Sequence, residues 1–451
     1  MSTFSFASQC DVKEEPVFKS IRNRLTAFVL VGLVAAGSAG RLEAAGFALF
    51  EEGSKGNAAG GAFAATADDP SAMFYNPAGN AFIDRFTLEA GSFAILRPTA
   101  RLDGQSPYPG DGYSASMSKS PYGIGHLYAV LPLSDSVKLS AGFWTPFGLG
   151  VPWENPNTFA GRFINQRDDI RQIAVSGQLA VKLSDAVAIG AGPEFRITDV
   201  RLGENISAVN PFTQRVVDVA HVSIVSSGEP VKVAFSAGLL IKPCDRLRFG
   251  ISYHSHVDVD LHGPAAFGQI PTGNAQFDGA VAQELPFGKG AQARTTLQFP
   301  SVTMFGIAYE VTPNLTLEAD GNYTTWSVFD QTVLQIDGLP NQTLVHNWVN
   351  TWAFRAGLTY RCSTTGSWIA GGFVYDQTPQ PNADVGVFLP DANRTGGTMG
   401  AGIALSKHFQ FQVSSLFLWF HERTITTSKD NFSATYQTFA ILPSATLKLT
   451  F

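Results

Sequence analysis

Residues 314–326 read NLTLEADGNYTTW. Successive side chains of an extended chain point to opposite faces, so Leu315, Leu317, Ala319 and Tyr323 share one side while Thr316, Glu318, Asp320 and Asn322 share the other. No helical stripe competes with this alternation. The segment reads as a strand with one apolar and one polar face. The stretch RLRFGISYHSHVDVDL (246–261) repeats the pattern, with Leu247, Phe249, Ile251, Tyr253, Val257, Val259 and Leu261 expected together against Arg246, Arg248, Ser252, His254, His256, Asp258 and Asp260. The last segment sets Phe439, Ile441, Ala445, Leu447, Leu449 and Phe451 against Thr438, Ser444, Thr446, Lys448 and Thr450.

Alternation suits a soluble sandwich as well as a membrane barrel. The connections separate the two. About fourteen strands are expected from Phe86 onward, joined by links that are short and long in turn. Short links fall near 134, 184, 244, 313, 364 and 406, and long ones near 103–118, 148–166, 204–227, 263–291, 334–347, 378–396 and 425–433. Short turns on one side and long loops on the other mark a barrel that crosses an outer membrane.

Composition agrees. Only 15% of the 451 residues are charged against 45% hydrophobic, where a soluble domain carries about a quarter charged. Beyond the N-terminus no apolar run nears the roughly 20 residues of a spanning helix, so contact with lipid requires a closed barrel. The expected fold is all-β: a 14-stranded antiparallel transmembrane β-barrel with an N-terminal lumenal hatch. It is expected as a monomer surrounded by outer-membrane lipid in a Gram-negative bacterium. An even strand number returns the chain to the periplasmic side at Phe451, and an alternating strand ending on an aromatic resembles the signal read by the barrel-assembly machinery. The net charge of -6, with no clustered Lys/Arg face, argues against nucleic acid as a partner. Of three cysteines, Cys10 lies in the leader, while Cys244 and Cys362 sit in short turns and read as unpaired thiols.

Lys19, Arg22 and Arg24 precede LTAFVLVGLVAA, and small residues run on to Ala45. Basic, apolar, then small is the order of a secretory signal. Residues 1–44 are expected as a signal peptide with an extended n-region, cut around Ala44 or Ala45; the apolar run is short for a membrane anchor. Residues 85–451 make the barrel. Residues 45–84 are then too rich in Gly and Ala for a sheet and too apolar for a solvated tail. A barrel of this size is wider than its own side chains can fill, so the segment is expected inside the lumen as a hatch, carrying Phe47, Leu49, Phe74, Asn76, Pro77 and Ala78.

Strand parity also reads the lumen. In HFQFQVSSLFLWFHER (408–423) the inward positions are Gln410, Gln412 and Ser414, then Leu416, Leu418 and Phe420. The first strand likewise runs from Thr87 and Glu89 to Phe93 and Ile95, and Trp144 also falls inward. The outer half of the lumen is thus expected to be an apolar substrate pocket, although the same residues could pack against the hatch. A general porin needs a polar lumen instead. Arg196 is inward too, either free for a carboxylate or paired with Glu194. His254 and His256 have a spacing that suits a metal, but with Asp258 and Asp260 beside them a hydrated wall is the expected reading. No metal and no cofactor are expected. The long loops display no Ser/His/acid set, so neither a lipase nor another enzyme is expected.

The stretch AGFALFEEGSKGNAAGGAFAATADDPSAMFYNPAG (45–79) resembles the hatch of the outer-membrane long-chain fatty-acid transporter family (FadL/TodX-like, OMPP1 type), including Asn76-Pro77-Ala78 after Asp68-Asp69. Residues 126–150, 299–329 and 354–381 resemble later strands of that family in the same order. The resemblance implies passive import of hydrophobic small molecules, long-chain fatty acids first and monoaromatic hydrocarbons such as toluene as the alternative. It further implies lateral release through a kink in the third strand as the hatch moves. Pro146 and Gly148 stand at the matching point, where Pro has no amide to give to a ladder; an ordinary strand end is the other reading. Fatty-acid members, by the same resemblance, place a Lys shortly after a TTWS-like segment, and here Val333 stands nearby instead.

Overall fold

The computed structural model describes residues 46–96, 100–118, 122–226 and 231–451. The expected signal peptide lies outside the described residues. Fourteen strands form one wall: β1 Thr87–Ile95, β2 Tyr122–Pro132, β3 Val137–Gly150, β4 Arg167–Lys182, β5 Val187–Asn210, β6 Lys232–Cys244, β7 Leu247–His254, β8 Val302–Thr312, β9 Leu315–Thr324, β10 Thr351–Arg361, β11 Trp368–Asp376, β12 Arg394–Ala404, β13 Phe409–Phe420 and β14 Phe439–Thr450. Neighbours pair antiparallel, and β14 returns to β1 in the register Thr87↔Thr450 to Phe93↔Ser444. Closure removes the open edges that hydrocarbon does not tolerate. No helix among the described residues is long and apolar enough to cross a membrane; the strands cross it.

The short turns have a local cause. In the turns at 133–136, 183–186 and 405–408, a serine hydroxyl accepts an amide three residues on: Ser134 from Val137 at 3.1 Å, Ser184 from Val187 at 3.1 Å and Ser406 from Phe409 at 3.1 Å. A serine that completes its own turn in this way fixes a tight reversal. The long connections carry strands of their own. Arg101–Gly104, Ser114–Ser116, Arg423–Ile425 and Ala434–Gln437 pair into a four-stranded sheet separate from the wall.

One expectation fails at residues 246–261. Phe249 and Ile251 are exposed on the outer face of the wall, but Val257, Val259 and Leu261 are buried in the core. The strand stops at His254 and a second begins at Val257. At the break, Ser255 exchanges hydrogen bonds with Phe235, amide to carbonyl at 2.9 Å and amide to hydroxyl at 3.0 Å. The alternation continues across the break, but the surroundings change from lipid to protein interior.

The N-terminal segment is enclosed from Gly46 to Ala81, with almost every residue buried. It contains only short helical turns, α1 Ser54–Ala58, α2 Ala72–Tyr75 and a 3-10 turn Pro77–Phe82. Two devices hold it. On β9, Asp320 accepts the amides of Phe63 and Ala64 at 2.8 and 2.9 Å, and Glu318 accepts those of Ala65 and Thr66 at 2.7 and 3.1 Å. Four consecutive amides that no helix or sheet would satisfy are thereby paired. The wall also lacks side chains where the hatch backbone touches it: a Cβ on Gly250 would lie 1.9 Å from the Ala64 carbonyl oxygen, and one on Gly357 2.3 Å from that of Ala59. Asn76 ties the turn to both parts, donating to Ala64 O at 2.8 Å and Leu239 O at 3.1 Å while accepting from Ala78 at 3.2 Å.

Candidate transport site

Among the described residues, the wall forks between β2 and β3. β1 and β2 pair over their whole length, from Thr87↔Val130 to Ile95↔Tyr122. β2 and β3 pair only up to Leu127↔Phe143. Beyond that point β3 stays on β4, with a bulge in which Trp144 to Phe147 opposes Ala174 to Gln172. A bulge adds a residue and bends its strand, and Pro146 within it cannot donate. β2 and β3 therefore fork, and among the described residues the edge of β3 beside the fork pairs with no wall strand.

The hatch fills the fork. Leu49 N donates to Pro146 O at 2.9 Å and Gly148 N to Phe47 O at 2.8 Å, with Ala48 bridged to Phe147. At the crotch, Glu52 accepts the Tyr128 hydroxyl of β2 at 2.7 Å and the Thr145 amide of β3 at 3.3 Å. Pro146 and Gly148 thus sit inside a continuing strand, bonded to the hatch, and not at an ordinary strand end.

Side chains around this segment form three environments. Phe47 enters a box of rings, with centroids of Trp326, Phe329, Trp348, Phe299 and Phe147 at 4.7, 5.4, 5.7, 5.8 and 6.0 Å. Leu49 joins Phe93, Ile95, Ile124, Leu416 and Leu418 in a second apolar cluster, with Phe420 packed on its rim. Five of the expected pocket residues therefore meet in one place. Trp144 does not join them: it packs with Tyr128 and Phe74 at 6.2 and 6.3 Å. Leu49, Phe50, Phe74, Pro146, Arg196 and Met304 line a small cavity at the fork.

Arg196 is already engaged. It contacts Glu194, donates to Gln172 at 3.0 Å, and Glu194 meets His254 Nδ1 at 2.8 Å. His254 Nε2 in turn reaches the Phe74 carbonyl at 2.7 Å. This chain links wall to hatch. His256 points elsewhere, to Asp258 at 2.8 Å, and no group of three potential metal ligands occurs among the described residues. Cys244 and Cys362 are both free.

The outer mouth is closed by its loops. Trp348 donates to Asp384 at 2.6 Å, Lys429 contacts the same carboxylate, and His346 lies 3.4 Å from it while stacking on Phe329 at 4.4 Å. Burial pushes the Asp384 carboxyl up, but hydrogen bonds from His346 and Lys429 outweigh it and hold the group below the usual carboxylate range. The lid thus rests directly on the ring box around Phe47.

Sequence parity found the inward positions of the cluster but missed Glu52, Glu318 and Asp320. Their signal was present: an acid on the inward face of a strand, or in an apolar plug, needs a partner.

A closed barrel plugged by its own N-terminal segment, apolar in part of its lumen and forked in one wall, is an outer-membrane transport channel. The chain belongs to the family of outer membrane transport proteins OMPP1/FadL/TodX, whose profile it matches over residues 34–451. It is 22% identical over 408 residues to the long-chain fatty acid transport protein of Escherichia coli K12, covering 83% of this chain and 87% of that protein. It is 21% identical over 442 residues to outer membrane protein P1 of Haemophilus influenzae, covering 89% and 93%. The crystal structure of a Pseudomonas aeruginosa FadL homologue superposes with a TM-score of 0.78 at 22% identity, covering 90% of this chain and 100% of that one. The toluene transporter TbuX of Ralstonia pickettii gives 0.62 at 18% identity, covering 88% and 98%. The protein resides in the outer membrane of a Gram-negative bacterium.

Proposed function

We propose that this protein imports hydrophobic small molecules, long-chain fatty acids first, by capture in the apolar lumen and release sideways through the fork between β2 and β3. The observation that carries this reading is the N-terminal segment bonded along the free edge of β3. A ligand that displaces this segment uncovers the wall opening in the same movement. In this reading Phe93, Ile95, Leu416, Leu418 and Phe420 receive the alkyl chain, Trp144 and Arg196 border its path, and Pro146 and Gly148 form the gate. Transfer of an alkyl chain from water favours capture by about 0.8 kcal/mol per methylene, so entry needs no energy source.

A second reading, import of monoaromatic hydrocarbons, is favoured by the ring box around Phe47. A benzene ring would find the edge-to-face contacts that Phe47 now makes. Both readings are tested by uptake of labelled oleate and labelled toluene in cells lacking their own importers. The full chain should raise uptake of at least one, and deletion of 46–84 should replace selective uptake with leakage of polar solutes. Uptake no higher than in cells without the protein would end the proposal.

A further inference from the structure

A cavity apart from the hatch and the fork lies where two of the long outer loops separate. Beyond wall strands β7 to β9 the chain forms three further strands, Val257–Gln269, Gln292–Phe299 and Gln331–Ile336. The middle one pairs with the first along its whole length, from Val257↔Phe299 to Pro264↔Gln292, but with the third only at Ala293↔Ile336 and Arg294↔Gln335. The third strand pairs instead with Gln342–Val345. The two chains meet again at the wall, where Thr325 N donates to Ser301 O at 3.1 Å and Val302 pairs with Thr324. The eyelet between them holds a cavity of about 530 Å³, within the range of about 300–1,000 Å³ usual for small-molecule sites.

The cavity is polar and faces outward. Ala293 and Leu297 are buried on the core side of the middle strand, while Arg294 and Thr296 are exposed on the other, together with Asp260, Gln331 and Gln335 of its neighbours. Its charges are already matched: Arg294 lies 3.3 Å from Asp337, and Asp260 lies 2.6 Å from Lys232. The carboxamides of Gln298, Gln331 and Gln335, which also line it, meet no hydrogen-bonding partner among the described residues. A carboxamide both donates and accepts. Converging carboxamides without a spare cation suit a neutral, hydroxyl-rich ligand and not a phosphate.

Position narrows the source of such a ligand. Tyr253, Thr303, Tyr323 and Trp352 stand in register across β7 to β10 at their outer ends. The rings of Tyr323 and Trp352 lie 5.0 Å apart, and Phe235 of β6 lies 5.7 Å from Tyr253. Phe235 and Trp352 are exposed on the outside of the wall. A girdle of aromatic side chains marks where a barrel leaves the hydrocarbon. Gln298 is five residues from Thr303, a length of chain that spans at most about 17 Å. The cavity is thus within reach of the headgroup layer, and in the outer leaflet of a Gram-negative outer membrane the headgroups are sugars. We propose that this cavity binds the sugar headgroup of an outer-leaflet glycolipid, held by Gln298, Gln331 and Gln335 while its acyl chains lie against the barrel below.

The test measures binding of lipopolysaccharide with its core sugars, of lipid A alone and of the free core oligosaccharide to the whole protein in phospholipid nanodiscs. The wild type should bind the core-bearing lipid about tenfold more tightly than lipid A, as expected for a few added hydrogen bonds. Gln298→Ala combined with Gln331→Ala should abolish that preference and leave lipid A binding unchanged, in a barrel that keeps its heat-modifiable mobility on gels. Val333→Trp, which fills the cavity from the third strand, should do the same. Equal binding of the two lipids by the wild type, or a preference that survives in both variants, overturns the sugar site. Free oligosaccharide bound as tightly as the whole lipid assigns the cavity to a soluble sugar and overturns the glycolipid.

Discussion

The amide of Gly148 donates to the carbonyl of Phe47 at 2.8 Å, so at this level a wall strand is hydrogen-bonded to the plug instead of to its neighbouring strand. Buried main-chain groups must be paired. The plug therefore completes the wall, and in the proposed import route its withdrawal opens the side.

That coupling can be locked. Ala48 and Phe147 are bridged between the flanking bonds Leu49 N to Pro146 O and Gly148 N to Phe47 O, the geometry of a non-hydrogen-bonded pair with Cα atoms about 4.5 Å apart. This spacing accepts a disulfide. With Cys244 and Cys362 replaced by Ser, Ala48→Cys plus Phe147→Cys should stop uptake under oxidising conditions and regain it on reduction. Full uptake by the cross-linked protein would show that the segment need not leave β3.

Asp320 should decide how firmly the hatch sits. Its Oδ2 accepts two hatch amides at 2.8 and 2.9 Å, and each buried donor left without a partner costs about 1–3 kcal/mol. Asp320→Ala is expected to raise ion conductance in planar bilayers while the barrel keeps its heat-modifiable mobility on gels. Conductance equal to wild type would assign the anchoring elsewhere.

Leu418 lies 2% exposed inside the alkyl cluster. An aspartate there demands hydration that an apolar pocket does not offer. Leu418→Asp should weaken binding of methyl oleate about tenfold or more in a barrel that still assembles, and an unchanged dissociation constant would remove this cluster from the pocket.

The lid should loosen in acid. Asp384 titrates below its ordinary value because His346 and Lys429 favour the carboxylate. A depressed folded value means that its contribution is complete above the unfolded value of about 3.9 and is lost as pH falls through the lower, folded one. Trp348 donates to this carboxylate at 2.6 Å and reports on it. Its fluorescence should change as pH falls below about 4 in the wild type but not in Asp384→Asn; identical titrations would exclude the latch.

Much of this was legible in the sequence because a strand displays its environment every second residue. Parity alone places Gln412, Ser414, Leu416 and Leu418 inward, and the short links near 134, 184 and 406 fall where the structure closes a turn with a serine. The fork was not legible in the same way. Pro146 and Gly148 suit a strand end equally well, and only the register between β2 and β3 separates the two cases. Val257 shows another limit: alternation states that two faces differ, not whether the apolar one meets lipid or protein. Glu318 and Asp320 read only as the polar face of a strand, because the hatch amides they accept lie more than two hundred residues away in the chain.

The bare wall positions at Gly250 and Gly357 carry a consequence for how such a chain can drift. An added methyl there would strike hatch backbone, at 1.9 Å from Ala64 O and 2.3 Å from Ala59 O, and a main-chain carbonyl has no rotamer by which to step aside. The shape of the plug is therefore written twice, once in its own small residues and once as omissions cut into distant strands. Neither copy can be revised alone, so a plug borrowed from a relative should fit only when the matching omissions travel with it.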